Sequence, residues 1–384
     1  MLIAPPLGLY VHLPWCISKC PYCDFNSHAL RGRLPEPAYV DALLADLGEE
    51  LAAAQGRTIS SIFFGGGTPS LFSPSTIGQL IDSVDSAGLL AEDAEITLEA
   101  NPGAVEHDSF ADFRAAGINR VSLGVQSFDA DKLSALGRIH GPDEAMRAID
   151  EVQRADIPGL NADLMFGLPG QTPEDALRDV QIALAAGVQH LSHYQLTLEP
   201  NTLFHSHPPK LPDDEVTWIG LQRCQSALAA AGLEQYEVSA YASPGQECTH
   251  NLNYWSFGDY LGVGAGAHGK MTYPADDRIV RRSKTKHPDA YMRGSRRTED
   301  SEVIDRPRRV FEFMLNALRL RQGFSGKLFE SRTGIPRHVV QSEFDQALER
   351  GLLERTGAIG WRPTDLGYRF LNDLQAIFIA TEDG

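Results

Sequence analysis

Through the first two-thirds of the chain two hydrophobic rhythms take turns. Short runs rich in β-branched and aromatic residues, "LGLYVHL", "SSIFFGG", "EITLEAN", "NRVSLGVQS", "GLNADLMFG" and "QHLSHYQLTL", read as strands. Between them "PEPAYVDALLADLGEELAAAQ", "SPSTIGQLIDSVDSAG", "DSFADFRAAG", "GPDEAMRAIDEVQRA" and "TPEDALRDVQIALAAG" place apolar residues every three or four positions, the spacing of one buried helix face. Ser73-Pro74 and Thr172-Pro173 set an N-cap before a first-turn proline, and Gly88, Gly117 and Gly187 follow the last periodic residue. Strands that alternate with helices imply a parallel sheet with right-handed crossovers. The predicted fold class is therefore α/β, either a partial barrel or an open doubly wound sheet, with functional loops at the strand C-terminal ends.

Beyond about Pro200 the rhythm changes to a helix ("DDEVTWIGLQRCQSALAAAG"), a short strand ("QYEVSAY"), a loop holding "HNLNYW" and the glycine-rich "LGVGAGAHG". Arg278 to Arg309 is rich in Arg and Lys and poor in apolar residues, and reads as an exposed connection. The remainder predicts several helices with a hairpin around Gly357, a winged-helix-like pattern. The expected organisation is a core with its extension over residues 1–277, a basic connecting segment over 278–309, and a smaller, mainly helical, winged-helix-like domain over 310–384.

Composition narrows the function. With 42% hydrophobic and 22% charged residues the chain has the bulk chemistry of a folded globular protein. A net charge of −17 disfavours long-range attraction to nucleic acid or anionic lipid, so the winged-helix pattern is not read as DNA-binding and membrane association is expected to be at most peripheral. No run approaches the length of a membrane helix, and "MLIAPPLGLY" lacks the basic start and apolar core of a secretory signal, so a cytoplasmic location is expected.

Three of the five cysteines, Cys16, Cys20 and Cys23, fall in one loop directly after the first strand with the spacing C-x3-C-x2-C. Such crowding suits metal ligation better than a disulfide framework. A structural zinc site would need a fourth thiolate or imidazole, and His12 and His28 flank the loop. A cubane of four irons on three thiolates instead leaves one iron open, and a small molecule with adjacent amine and carboxylate could chelate it. Cys224, on helical spacing with Leu221 and Leu228, reads as a buried thiol, whereas Cys248 stands two residues before His250.

Polar groups recur at later strand ends. "FFGGGTPS" carries Gly65, Gly66, Gly67 and Thr68 after the second strand, where glycines bring backbone groups close to a ligand. "LEANPG" ends the third with Glu99 and "GVQSF" the fourth with Gln126, while "NADLMFGLPGQT" ends the fifth with Asp163. Arg138, in "ALGRIH", can pair with a carboxylate. "GAGAHG", residues 264–269, fits a dinucleotide-binding glycine pattern but lies outside a βαβ unit, and predicts close backbone packing.

The cysteine spacing, with Tyr22 just before the third cysteine, resembles the radical S-adenosylmethionine (SAM) superfamily. That resemblance implies a partial (β/α)6 TIM-like barrel, a [4Fe-4S] cluster on the three cysteines, and SAM bound to the open iron, where an electron cleaves it to a 5′-deoxyadenosyl radical. The strand-end motifs together resemble the coproporphyrinogen oxidase-like branch from Gly8 to about Gly269. By match to that branch, Tyr10, Tyr22, Gly66, Gly67, Thr68, Glu99, Gln126, Arg138 and Asp163 are implied to contact SAM. The oxidases carry a fourth cysteine two positions after the third, where this chain has Phe25. Phe25 and "HNLNYW" resemble instead the branch's heme-chaperone group, implying heme as a further cofactor with His250 as its ligand. An acceptor hemoprotein and an electron donor such as a flavodoxin or ferredoxin are the implied partners. Oxygen-independent coproporphyrinogen III oxidation is the alternative activity.

Overall fold

The computed structural model describes residues 1–103, 109–294, 297–357 and 359–379. The expected alternation is present. The strands are β1 (Leu7–Leu13), β2 (Ile59–Gly66), β3 (Leu90–Ala100), β4 (Arg120–Gln126), β5 (Gly159–Phe166) and β6 (His190–Gln195). The helices are α1 (Glu36–Ala53), α2 (Pro74–Ser86), α3 (Phe110–Ala115), the short α4 (Ala130–Ala135), α5 (Pro142–Arg154) and α6 (Pro173–Ala185). Residue 108, within the string that predicted α3, lies outside the described residues. Ser73 caps α2 by accepting from the Thr76 N–H, and Thr172 and Asp175 form a reciprocal capping box on α6.

β1 to β6 pair in parallel in sequence order. Outward residues such as Val11, Phe64, Leu98, Leu123 and Leu164 pack with Leu43, Leu47, Leu80, Ile149 and Val180 of the helices in one core. Each such apolar side chain contributes about 1.5–3 kcal/mol on burial. Alternate residues face the other way, and they are mostly polar: Ser61, Thr97, Glu99, Ser122, Asn161, Asp163 and Ser192.

The sheet is mixed and does not close among the described residues. Past β6 it turns antiparallel through β8 (Ala240–Ala242) to the edge strand β7 (Glu234–Gln235), two short pieces where one strand was expected. Past β1 it continues through β9 (Asp259–Val263), parallel to β1, then antiparallel β10 (His268–Tyr273), β11 (Arg278–Lys284) and β12 (Thr298–Val303). The basic segment from Arg278 is thus not an exposed connection. Lys284 is buried, with its Nζ 2.6 Å from Asp46 and 2.7 Å from Glu50 on α1, and Arg281 pairs with Glu312 at 2.6 Å. These two charges meet acidic partners distant in sequence, which a local reading cannot see. "GAGAHG" packs as expected: a Cβ on Gly264 would collide with the backbone carbonyl of His12.

"HNLNYW" is not a loop but lies in the helix α8 (Thr249–Trp255), which follows α7 (Asp214–Ala230). The C-terminal part places helices α9 (Arg306–Ala317), α10 (Gly326–Thr333) and α11 (Gln341–Glu349) beside an antiparallel sheet of Phe324–Ser325, Gly360–Pro363 and Leu353–Thr356. Its own core holds Phe313, Phe329, Phe344 and Trp361, the last two stacked at 4.1 Å. No helix among the described residues is long and apolar enough to cross a membrane.

Asp259, at the start of β9, ties the extension to the core. It accepts from Arg57 at 2.7 Å, from buried Lys270 at 2.9 Å and from the Thr272 hydroxyl at 2.8 Å. Asp259→Ala would strand Lys270 beneath the sheet, and a loss of about 3–5 kcal/mol is expected from urea denaturation. The paired replacement Asp259→Leu with Lys270→Met should recover most of it.

Candidate cofactor site

β1 ends at Leu13 and runs into the cysteine loop, which is closed on itself. Pro14 accepts from the His28 N–H at 2.7 Å and Cys16 from the Leu30 N–H at 2.8 Å, while the Cys23 N–H reaches the Cys20 carbonyl at 3.2 Å. All three thiols are free. They line a cavity of about 510 Å³ on the polar face of the sheet. Burial pushes the Cys16 thiol up to about 11, against the Thr68 hydroxyl, so metal binding there would release a proton. Among the described residues no three His, Cys, Asp or Glu side chains converge tightly enough for a single metal ion. Three free thiols lining one cavity are the donors a polynuclear cluster takes.

The glycine turn after β2 is the second wall. Gly66 has φ 118°, and a Cβ on Gly67 would lie 2.5 Å from the Trp15 carbonyl, so only glycine lets this turn press against the cysteine loop. The Gly66 N–H donates to Glu99 Oε2 at 3.1 Å. Arg138 reaches over from the segment after α4. Its Nη1 is 3.5 Å from Cys20 Sγ, and its Nη2 donates to the Gly124 carbonyl at 2.7 Å and to Asn101 Oδ1 at 2.5 Å.

Two carboxylates share the interior. Glu99 is pushed up to about 8, first by burial and then by the charge of Asp163, with the Gly66 N–H opposing. Asp163 rises to about 6 by burial, against hydrogen bonds from Asn161 and Ser122 at 2.8 and 3.1 Å. An enclosed acidic pair of this kind favours a cation beside it. Gln126 holds φ 67°, outside the range that side chains prefer, where β4 bulges against β5. Backbone strain beside a cavity is a mark of function.

Of the residues singled out from sequence, Cys16, Cys20, Tyr22, Cys23, Gly66, Gly67, Thr68, Glu99, Gln126, Arg138 and Asp163 all line this cavity, as does Phe25. Tyr10 stands outside that lining, its hydroxyl 3.0 Å from His12 Nδ1 and its ring stacked on Phe63. His250 also lies outside it. Burial drives its imidazole down to about 3; Nδ1 sits 2.9 Å from the Ser61 hydroxyl, the ring packs between Phe63 and Tyr254, and Nε2 is buried with no partner. Cys248, just before α8, and Asn251 and Trp255 of α8 face the cavity instead.

Sequence reasoning passed over Asn101, which donates to Thr68 Oγ1 at 3.0 Å and accepts from Arg138, and Tyr194 on β6. Counting by two from Glu99 and from Ser192 would have found both. Glu237 and Arg319, also in the lining, carry no local signal.

A parallel sheet with a cysteine loop after its first strand and polar groups on the following strand ends is the arrangement of a radical SAM protein. The model of the Radical SAM superfamily matches residues 10–183, and that of the HemN C-terminal domain matches residues 304–370. The chain is 50% identical to "Heme chaperone HemW" of Escherichia coli, covering 99% of this chain and all of that one. It is 47% identical to "Heme chaperone HemW" of Haemophilus influenzae, over 98% of this chain and 99% of that protein. It therefore belongs to the HemW family. Among solved structures, coproporphyrinogen III oxidase (HemN) from Escherichia coli superposes with a TM-score of 0.82 over 98% of this chain and 91% of that chain; at 21% identity that likeness is one of fold.

Two outcomes follow from this geometry. Glu99 and Asp163 titrate higher in the folded chain than unfolded, so the native state keeps protons that the unfolded chain releases. Stability of the ligand-free protein should fall as pH rises from about 4.5 to about 8 and then level, and Glu99→Gln should flatten the upper part of that slope in chemical denaturation. Gln126→Gly should gain about 1 kcal/mol by relieving the left-handed backbone, yet bind SAM more weakly by calorimetry.

Proposed function

We propose that this chain is a heme chaperone that binds heme and passes it to an acceptor hemoprotein, carrying a [4Fe-4S] cluster on Cys16, Cys20 and Cys23 with SAM in the adjoining cavity. The observation that carries the reading is 50% identity along essentially the whole chain to a protein named heme chaperone. Phe25, 60% exposed where the oxidases resembled in sequence have a further cysteine, supports it against the oxidase alternative.

In this reading Arg138 and the Gly66–Thr68 turn hold the methionyl carboxylate and backbone, while Glu99 and Asp163 balance the positive charge. When bound, the cluster would supply one electron to the sulfonium, drawn from a flavodoxin- or ferredoxin-like donor. His250 takes the heme iron through Nε2, the ring nitrogen with no hydrogen-bond partner. Access requires α8 to turn that ring out from between Phe63 and Tyr254. Burial keeps the imidazole neutral, the form that binds iron.

Heme titration of the reconstituted protein, followed by its visible spectrum, tests the assignment. Stoichiometric binding with a histidine-type spectrum is expected, and His250→Ala should lose that spectrum while keeping the cluster's absorption. An unchanged spectrum in His250→Ala would remove the ligand role. Vinyl product from coproporphyrinogen III under anaerobic turnover would replace the chaperone reading with the oxidase.

A further inference from the structure

The cavity does not stop at the SAM residues. It extends to the other end of the strands, where its lining includes Arg120 and His190, the first residues of β4 and β6, together with Cys248, Trp255, Glu237 and Arg319. Arg319 follows α9 and comes from the C-terminal part of the chain. Its guanidinium lies 4.1 Å over the Trp255 ring, and its Nη2 donates to Glu237 at 3.1 Å. Arg319 Nε and Trp255 Nε1 are nevertheless both buried without an acceptor.

Two unsatisfied N–H donors side by side, one of them on a cation, are costly to bury and share one remedy, a ligand that brings oxygen acceptors and negative charge. Arg120 is already engaged: Nη1 lies 3.7 Å from Glu95 and Nη2 donates to the Gln246 carbonyl at 3.0 Å. The free donor capacity of this corner therefore belongs to Arg319 and Trp255. Trp255 sits on α8, five residues beyond His250, so the pair adjoins the helix that carries the proposed heme ligand.

We propose that Arg319 and Trp255 form a carboxylate-binding subsite, and that it takes a propionate of heme. The inference rests on the chaperone reading and adds to it: the core supplies the iron ligand, while the C-terminal part supplies the group that recognises the macrocycle's charged edge. Glu237 takes the guanidinium through Nη2 while the group lies over the indole ring, and Nε has no part in that ion pair.

Titrating heme and heme dimethyl ester, which lacks both carboxylates, into wild type and variants separates the possibilities. Wild type should bind heme at least tenfold more tightly than the ester. Arg319→Gln should lose about that factor for heme and little for the ester, so the two ligands converge. Trp255→Phe keeps the ring and removes only the N–H, and a severalfold loss confined to heme is expected even if Arg319→Gln folds poorly. SAM also carries a carboxylate, and its affinity should be the same in wild type and Trp255→Phe; a loss there would assign the subsite to SAM and overturn the proposal. Equal binding of heme and ester by wild type would overturn the subsite while leaving the chaperone reading intact. Failure of wild type to bind either would overturn that reading and the subsite with it.

Discussion

Everything at the site depends on the parallel register of six strands. Right-handed crossovers bring each strand back in the same direction, so all the C-terminal ends meet at one end of the sheet. Register then sets neighbours level: Glu99 stands opposite Ser122 and Asp163 opposite Ser192, all on the face turned from the helices. A cysteine loop, a glycine turn and two carboxylates, separated by up to 147 positions from Cys16 to Asp163, become the walls of one cavity. The cost is a pair of acidic groups enclosed together, and burial raises the pKa of both.

The rest of the chain serves to close and brace that cavity. β9 to β12 lengthen the sheet, and Asp259, Asp46 and Glu50 neutralise the lysines that the extension buries. α8 seals the lower end of the strands, held there by Glu95, which accepts from the Thr249 and His250 N–H groups at 3.0 and 2.9 Å and so acts as its N-terminal cap. The C-terminal part adds Arg319 to the lining, and Tyr368 fixes the Arg319 carbonyl at 2.6 Å. Two regions that a linear reading sets apart thus line one cavity.

Much of the fold was legible because its causes are local. β-branched runs, helical periodicity and the caps at Ser73 and Thr172 each state a preference within a few residues, and the packing agrees with them. The cysteine spacing and the strand-end motifs were legible for the same reason, and eleven of the thirteen residues implied as ligands line the cavity. The exceptions have physical causes. Tyr10 turns to His12, and His250 is carried away from the cavity by a helix that the sequence reading took for a loop.

The sequence by itself determined the elements, their alternation and the loops that would carry chemistry, since these follow from side-chain period and short-range backbone preference. Only the tertiary structure decided which face each residue presents. In α8 the helical turn directs Asn251 and Trp255 to the cavity and His250 between Phe63 and Tyr254, dividing a motif that reads as continuous. Likewise the basic stretch from Arg278 became sheet strands with Lys284 buried, and Arg319 entered the cavity lining from a separate core. Those outcomes rest on contacts between residues far apart in the chain, and no local pattern encodes them.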